Sequence, residues 1–304
     1  MIDQNTLFTG FTTDQINTSG ATIHTVHGGN PNGSPVLLLH GIPETHVLWR
    51  MVAPELARDH YVVMTDLRGY GDSSKPPGGS DHFAYCKRAM ALDQVEVMRH
   101  LGFERFALVG HDRGGRAAHR LALDHPQALT RLVILDIVPT HLLYQNINQE
   151  FATIFYHWFL MVQPEPFPET VVQNSAEYFL KCTLLWLGGS KISEPLPNWI
   201  GDDIFREYLR TFQMPETIHA ICEDYRAAAS LDLEHDAADL HKKIACPLLV
   251  LWSEKGPFHR MYDVLQAWQD RAVEAHGKAM PTGHFLPEQM PDELTQELRE
   301  FLRS

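Results

Sequence analysis

Three residues of this 304-residue chain fall in an order that suits a two-step displacement: Asp112, Asp136 and His284. Asp112 stands in Gly110-His111-Asp112-Arg113-Gly114, with a glycine two residues to either side. A short apolar run, Phe106 to Val109, precedes it. Helical spacing over 116–124 follows, through Ala117, Leu121 and Leu123, and stops at His125-Pro126. Strand, sharp turn and helix with small neighbours form a nucleophile elbow. The turn holds its central side chain in strained backbone angles above a sheet. Most elbows place Ser there. A carboxylate attacks carbon instead and leaves an alkyl-enzyme ester. Such an ester is cut by water, and the water needs a base. His284, in Thr282-Gly283-His284-Phe285, is placed to be that base. Asp136, in Asp136-Ile137-Val138-Pro139, is placed to orient the imidazole. Glu254, in Trp252-Ser253-Glu254-Lys255-Gly256, is the alternative acid. The backbone N–H groups of Arg113 and Ile42 are the candidate donors to the ester oxyanion.

Arg113 follows the nucleophile, and Arg116 lies one helical turn on. Two guanidiniums beside a nucleophilic carboxylate read as a fork for a second carboxylate, and they keep Asp112 ionised. The plainer reading puts Arg116 and Arg120 on a solvated helix face. The formal net charge of -13 argues against nucleic acid and anionic membranes as partners. A small anionic substrate would therefore depend on local positive charge. The four cysteines, Cys86, Cys182, Cys222 and Cys246, are scattered without a CxxC pair. They predict neither a zinc site nor a disulfide framework, and they suit buried thiols in a reducing cytoplasm. We expect no metal and no cofactor. Residues 1–6 lack the basic and apolar parts of a secretory leader, and no apolar run approaches the ~18 residues of a membrane span.

The elements that must position these residues alternate. Residues 11–28 read as a hairpin. Strands are predicted at 36–39, 61–65, 106–109, 132–135 and 247–252, and helices at 49–56, 88–101, 116–124, near 262–275 and at the amphipathic C-terminus (Leu294, Leu298, Phe301, Leu302). This rhythm predicts a mostly parallel sheet flanked by helices. Together with the order nucleophile, acid, histidine, it is that of the α/β-hydrolase fold. His40-Gly41-Ile42-Pro43 is a tight strand exit that offers the Ile42 N–H. The Gly-punctuated loop 66–74 reads as structural. From 140 to about 226 the rhythm is lost among aromatics and two proline clusters, with helical stretches at 143–162, 175–187, 202–213 and 215–229. The expected organisation is an α/β core of 1–139 and 227–304 with a helical cap, 140–226, inserted.

Several motifs carry a more specific resemblance. His-Asp-Arg-Gly-Gly-Arg at 111–116, Leu-Asp-Ile-Val-Pro-Thr at 135–140, Tyr-His-Trp at 156–158, Gln-Pro-Glu-Pro-Phe-Pro-Glu at 163–169, Asp-Tyr-Arg-Ala at 224–227, Asp-Leu-Glu-His-Asp at 232–236 and Gly-His-Phe at 283–285 resemble haloacetate dehalogenases, specifically fluoroacetate dehalogenases, over nearly the whole chain. The resemblance implies hydrolysis of fluoroacetate to glycolate and fluoride. Asp112 would attack the halogen-bearing carbon, and His284 with Asp136 would drive ester hydrolysis. Arg113 and Arg116 would bind the substrate carboxylate, while His157, Trp158 and Tyr225 would donate to the departing halide. Read without the resemblance, His157 and Trp158 are cap-core residues. Trp186 is a possible further pocket wall. The resemblance also implies a homodimer. In one departure, Ile42 stands where the family usually has Phe, which changes a pocket wall and bears on substrate range.

Two other readings compete. An epoxide hydrolase would use the same Asp, His and Asp with cap tyrosines as acids, and Tyr144, Tyr156, Tyr178, Tyr208 and Tyr225 are available. It gives the paired arginines nothing to bind. A non-catalytic ligand-binding protein on this fold leaves an intact triad without a use.

Overall fold

The computed structural model describes residues 4–303; Met1 to Asp3, which begin the stretch read for a leader, lie outside the described residues. Eight strands form one sheet: β1 (Phe11–Asn17), β2 (Thr22–Gly29), β3 (Pro35–Leu39), β4 (Tyr61–Thr65), β5 (Phe106–His111), β6 (Leu129–Leu135), β7 (Leu248–Ser253) and β8 (Ala275–Met280). Their spatial order is β1-β2-β4-β3-β5-β6-β7-β8. The β1/β2 and β2/β4 pairs are antiparallel, as the expected hairpin requires, and the other pairs are parallel. Every residue of β5 and β7 is buried. That is why these strands read as unbroken apolar runs: helices cover both faces of a parallel sheet.

The chain steps from β3 outward to β4, then returns past β3 to β5 and continues to the other edge. The order therefore reverses between β3 and β5. Loops leaving the carboxyl ends of two such strands diverge and open a crevice, the usual ligand position in this kind of sheet. The loop after β3 carries Ile42, and the loop after β5 carries Asp112.

Between β6 and β7 lie eight helices, from Thr140–Gln145 to Leu231–Ala238. The single helix expected over 143–162 is three short ones, Thr140–Gln145, Gln149–Ile154 and Tyr156–Met161. Asn148 breaks it by capping: its side chain accepts from the Phe151 N–H at 2.9 Å. Phe155 makes the second break by leaving helical geometry, with φ -101 and ψ 36. The helix expected near 262–275 also differs. Helical residues end at Gln269, and β8 follows as an edge strand that is mostly accessible, with only its end residues buried. Such a strand gives no apolar run to read. No helix among the described residues is long and apolar enough to cross a membrane.

Candidate active site

Leaving β5, the backbone passes through Asp112 at φ 45. Asp tolerates this left-handed region better than most residues, at a cost of order 1–3 kcal/mol that the surroundings must hold in place. The Gly114 N–H donates to the His40 carbonyl at 2.9 Å, pinning the turn to the end of β3. A Cβ on Gly114 would lie 2.4 Å from that oxygen. On the opposite loop, a Cβ on Gly41 would lie 2.4 Å from the Asp112 Cβ. The two loops can close only because both positions are bare. The result is a hydrogen bond from the Ile42 N–H to Asp112 Oδ1 at 3.1 Å. The Arg113 N–H, the second expected donor, makes no hydrogen bond to the carboxylate among the described residues. Asp112 heads the helix Asp112–Asp124, whose N-terminal dipole favours an anion. Burial pushes its carboxyl up, but His284, Arg116, His111 and Arg113 together outweigh that and hold it below the ordinary value.

His284 Nδ1 lies 2.6 Å from Asp136 Oδ2, and its Nε2 lies 3.8 Å from Asp112 Oδ2. Asp136 is fixed in turn. It too has a left-handed backbone, φ 48, and Oδ1 accepts from the Ser253 N–H at 2.8 Å. The alternative acid, Glu254, is exposed. With Nδ1–H given to Asp136, Nε2 is free to accept a proton, and it is buried without a partner.

His284 is also held by its main chain, which the sequence did not reveal. Its N–H donates to the Leu187 carbonyl at 3.1 Å, and its carbonyl accepts from His111 Nε2 at 2.9 Å. Leu187 ends the cap helix Ala176–Leu187. Gln289 adds a second tie, donating to the Gly188 carbonyl at 2.9 Å while accepting from the Phe285 N–H at 3.1 Å. Behind the nucleophile, burial would lower His111, but Glu44, 3.1 Å from its Nδ1, raises it to about 9. An imidazolium therefore sits next to the nucleophile in sequence.

The two arginines are unequal. Arg113 is wholly buried and clamps Asp224, with Nε to Oδ2 at 2.8 Å and Nη2 to Oδ1 at 2.6 Å. Only its Nη1 remains, buried and unpartnered. Arg116 gives Nη1 to the Val138 carbonyl and the Thr140 hydroxyl, and keeps both Nε and Nη2 unpartnered. Burial draws it down to about 10, so it stays a cation at neutral pH. The solvated-face reading is corrected. Arg116 and Arg120 are both buried, and Arg120 reaches Asp236 at 2.5 Å and Asp239 at 2.7 Å.

Helices between β6 and β7 cover this group. The Arg113 guanidinium lies 4.2 Å from the Tyr225 ring centre, and that of Arg116 lies 4.9 Å from the Trp158 ring. Tyr225 meets Trp158 and His157 edge-on at 5.6 and 6.0 Å between centres. The break at Phe155 matters here, since it gives His157 and Trp158 a turn of their own in which both are buried. The Tyr225 hydroxyl is buried with no partner, and burial pushes its pKa far up, so it remains a donor. Burial lowers His157 to about 4, leaving a neutral ring with one N–H to give. Trp186 is 44% exposed and makes none of these ring contacts among the described residues.

Two groups of described residues have metal-ligand chemistry, His24/His46/Asp66 and Cys86/Asp232/His235. Neither contains a residue of the site. In the second, the Lys87 ammonium already stands 3.7 Å from Asp232 Oδ2. All four cysteines are free, and Cys246 is only partly buried.

The sequence pattern of the alpha/beta hydrolase fold matches residues 34–289. A fluoroacetate dehalogenase from a Burkholderia species is 41% identical over 97% of this chain and 95% of its own length. A soluble epoxide hydrolase from Corynebacterium sp. strain C12 is 32% identical over 93% of this chain and 94% of its own. A solved alpha/beta hydrolase from Nostoc sp PCC 7120 superposes with a TM-score of 0.93 at 51% identity, covering 97% of this chain and 99% of that one. With an eight-stranded, mostly parallel sheet, an elbow after β5 and a sequence match over most of its length, this chain belongs to the α/β-hydrolase family.

Proposed function

We propose that this protein hydrolyses the carbon–halogen bond of short haloacetates, fluoroacetate among them, releasing halide and glycolate. One observation carries the reading: buried, unpartnered hydrogen-bond donors belong to residues that interact electrostatically with Asp112. They are Arg113 Nη1, Arg116 Nε and Nη2, and the Tyr225 hydroxyl. Leaving such groups bare costs roughly 1–3 kcal/mol each, more for charged ones. A carboxylate bound to the arginine atoms and a halide facing Tyr225 would satisfy them.

In this mechanism Asp112 Oδ2 attacks the halogen-bearing carbon, and the carbon–halogen bond breaks as the new C–O bond forms. Fluoride leaves poorly but accepts hydrogen bonds strongly. Donors from Tyr225, Trp158 and His157 would gain strength as its charge grows, which lowers the barrier rather than merely tightening binding. His284 Nε2 then takes a proton from water, which attacks the Asp112 carboxyl carbon, while Asp136 steadies the imidazolium. The oxyanion on Asp112 is met by the Ile42 N–H, joined by that of Arg113. On collapse the departing alkoxide oxygen takes the proton from His284, giving glycolate, and the Asp112 carboxyl releases its remaining proton to restore the carboxylate.

Epoxide opening is the second reading, favoured by the free Tyr225 hydroxyl. It leaves the unpartnered atoms of Arg116 unexplained. The test is fluoride release from fluoroacetate, followed with an ion-selective electrode beside chloroacetate and styrene oxide, in wild type and Asp112→Asn. Fluoride release that vanishes in the variant is the expected result. Diol formation without halide release from either haloacetate would overturn it.

A further inference from the structure

The proposed substrate is an anion, and the site that would bind it contains a buried acid. Arg113 forms a bidentate pair with Asp224. On its own such a pair is close to neutral at a distance, and Arg113 would contribute little attraction for a second carboxylate. Asp224, however, is shared. The Lys87 ammonium bonds its Oδ1, and the Tyr70 hydroxyl donates to its Oδ2 at 2.7 Å. Lys87 opens the helix Lys87–His100 and is buried. Burial pushes Asp224 up, but Arg113 and Lys87 together pull it well below the ordinary carboxylate range. One anion thus lies between two cations.

The same ammonium lies 3.7 Å from Asp232, whose Oδ1 accepts the Lys87 N–H at 2.8 Å. Burial raises Asp232 to about 6. At neutral pH Asp232 is still mostly an anion, but it lies farther from the ammonium than Asp224, which the ammonium bonds directly, so the Asp224 contact dominates. None of these groups touches the space beside Asp112, and the reaction as described does not use them.

We propose that Lys87 is a specificity-determining positioning residue: its buried ammonium offsets Asp224, so that Arg113, held in place by that acid, keeps its positive charge for an anionic substrate. Asp224 thereby fixes the guanidinium without neutralising the pocket. This inference rests on the dehalogenase reading and assigns the origin of its preference for carboxylates.

The experiment compares kcat/KM for chloroacetate with that for chloroacetamide, its uncharged isostere, in the full chain. Lys87→Met should lower the chloroacetate-to-chloroacetamide ratio on the order of tenfold, mainly through KM, as loss of a nearby buried charge demands. Lys87→Arg should hold the ratio within about threefold of wild type. The double variant Lys87→Met with Asp224→Asn removes one charge of each sign and should recover most of the ratio. A merely structural role predicts the opposite: both substrates fall together, and the double variant is worse than the single. Either of those results overturns the inference. Where Lys87→Met is insoluble, the double variant is read against wild type, and a ratio lost more than about tenfold overturns it. Wild type that turns over neither compound removes the dehalogenase reading itself.

Discussion

The two ends of the site are built differently. In the triad, the residues that would do chemistry are mostly bonded, with His284 Nε2 left open. Asp136 has both oxygens placed, His284 is held at Nδ1, N–H and carbonyl, and Asp112 is met by Ile42. On the facing side, Tyr225 from the helices between β6 and β7 and the two arginines of the elbow helix keep buried donors with no partner. Native interiors pair nearly all such atoms. Reacting groups benefit from being fixed before substrate arrives, whereas binding groups must keep valences open for the ligand. The bare donors of Arg113, Arg116 and Tyr225 therefore suit a binding surface, and the open His284 Nε2 beside them suits a proton acceptor.

Substitutions can break or sharpen that contrast. The largest effect should come from His284→Asn. Ester formation continues while its hydrolysis slows on the order of 10³-fold, the usual share of a positioned base. Mass spectrometry should then find an adduct on the Asp112 peptide; a dead enzyme without adduct would place His284 before alkylation. Next come the arginines. Arg113→Leu removes one of the two cations paired with the buried Asp224, leaving Lys87 and Tyr70, and should destabilise the fold by about 3 kcal/mol in urea titrations. Arg116→Leu breaks no ion pair and removes only the bonds to the Val138 carbonyl and Thr140 hydroxyl, so stability should fall by about 1–2 kcal/mol, less than for Arg113→Leu, while KM for chloroacetate rises about 10- to 100-fold. Equal stability losses would erase the distinction between a clamped and a free guanidinium.

A pH experiment probes the cap. The folded value of His157, about 4, lies below its ordinary 6.5. Between those values the unfolded chain binds more protons, so this group's contribution is complete above pH 6.5 and drains as pH falls towards 4. The loss amounts to about 3 kcal/mol at most, and His157→Gln should flatten the stability curve in that window. The smallest effect is the most pointed. Tyr225→Phe removes a bare buried hydroxyl and should leave the free protein as stable or about 1 kcal/mol more so. Fluoride release should nevertheless slow about tenfold. A stability loss would mean that the hydroxyl has a structural partner.

The positions of the candidate triad were legible in the sequence because their signals are local. The elbow is five consecutive residues, and Gly-His-Phe marks the base loop. What escaped depends on contacts between distant segments. Asp224 lies in a stretch conspicuous for Tyr225, and nothing local shows that it meets Arg113, 111 residues earlier. Arg120 looked like surface because its acids, Asp236 and Asp239, belong to another helix. The strand β8 was hidden by its accessible middle. Helical spacing over 143–162 was real, but the Asn148 cap and the turn at Phe155 cut it into pieces.

The ties from His284 and Gln289 to the Leu187 and Gly188 carbonyls set a rule for recombination. A relative's cap grafted onto this sheet brings its own pair of carbonyls to the loop that carries the base. A graft whose helix ends half a turn early or late would turn the imidazole even though every catalytic side chain is retained. Chimeras that keep 187–188 in register with 283–289 should hydrolyse their esters. Those that shift it should stall with the substrate's carbon still attached to Asp112.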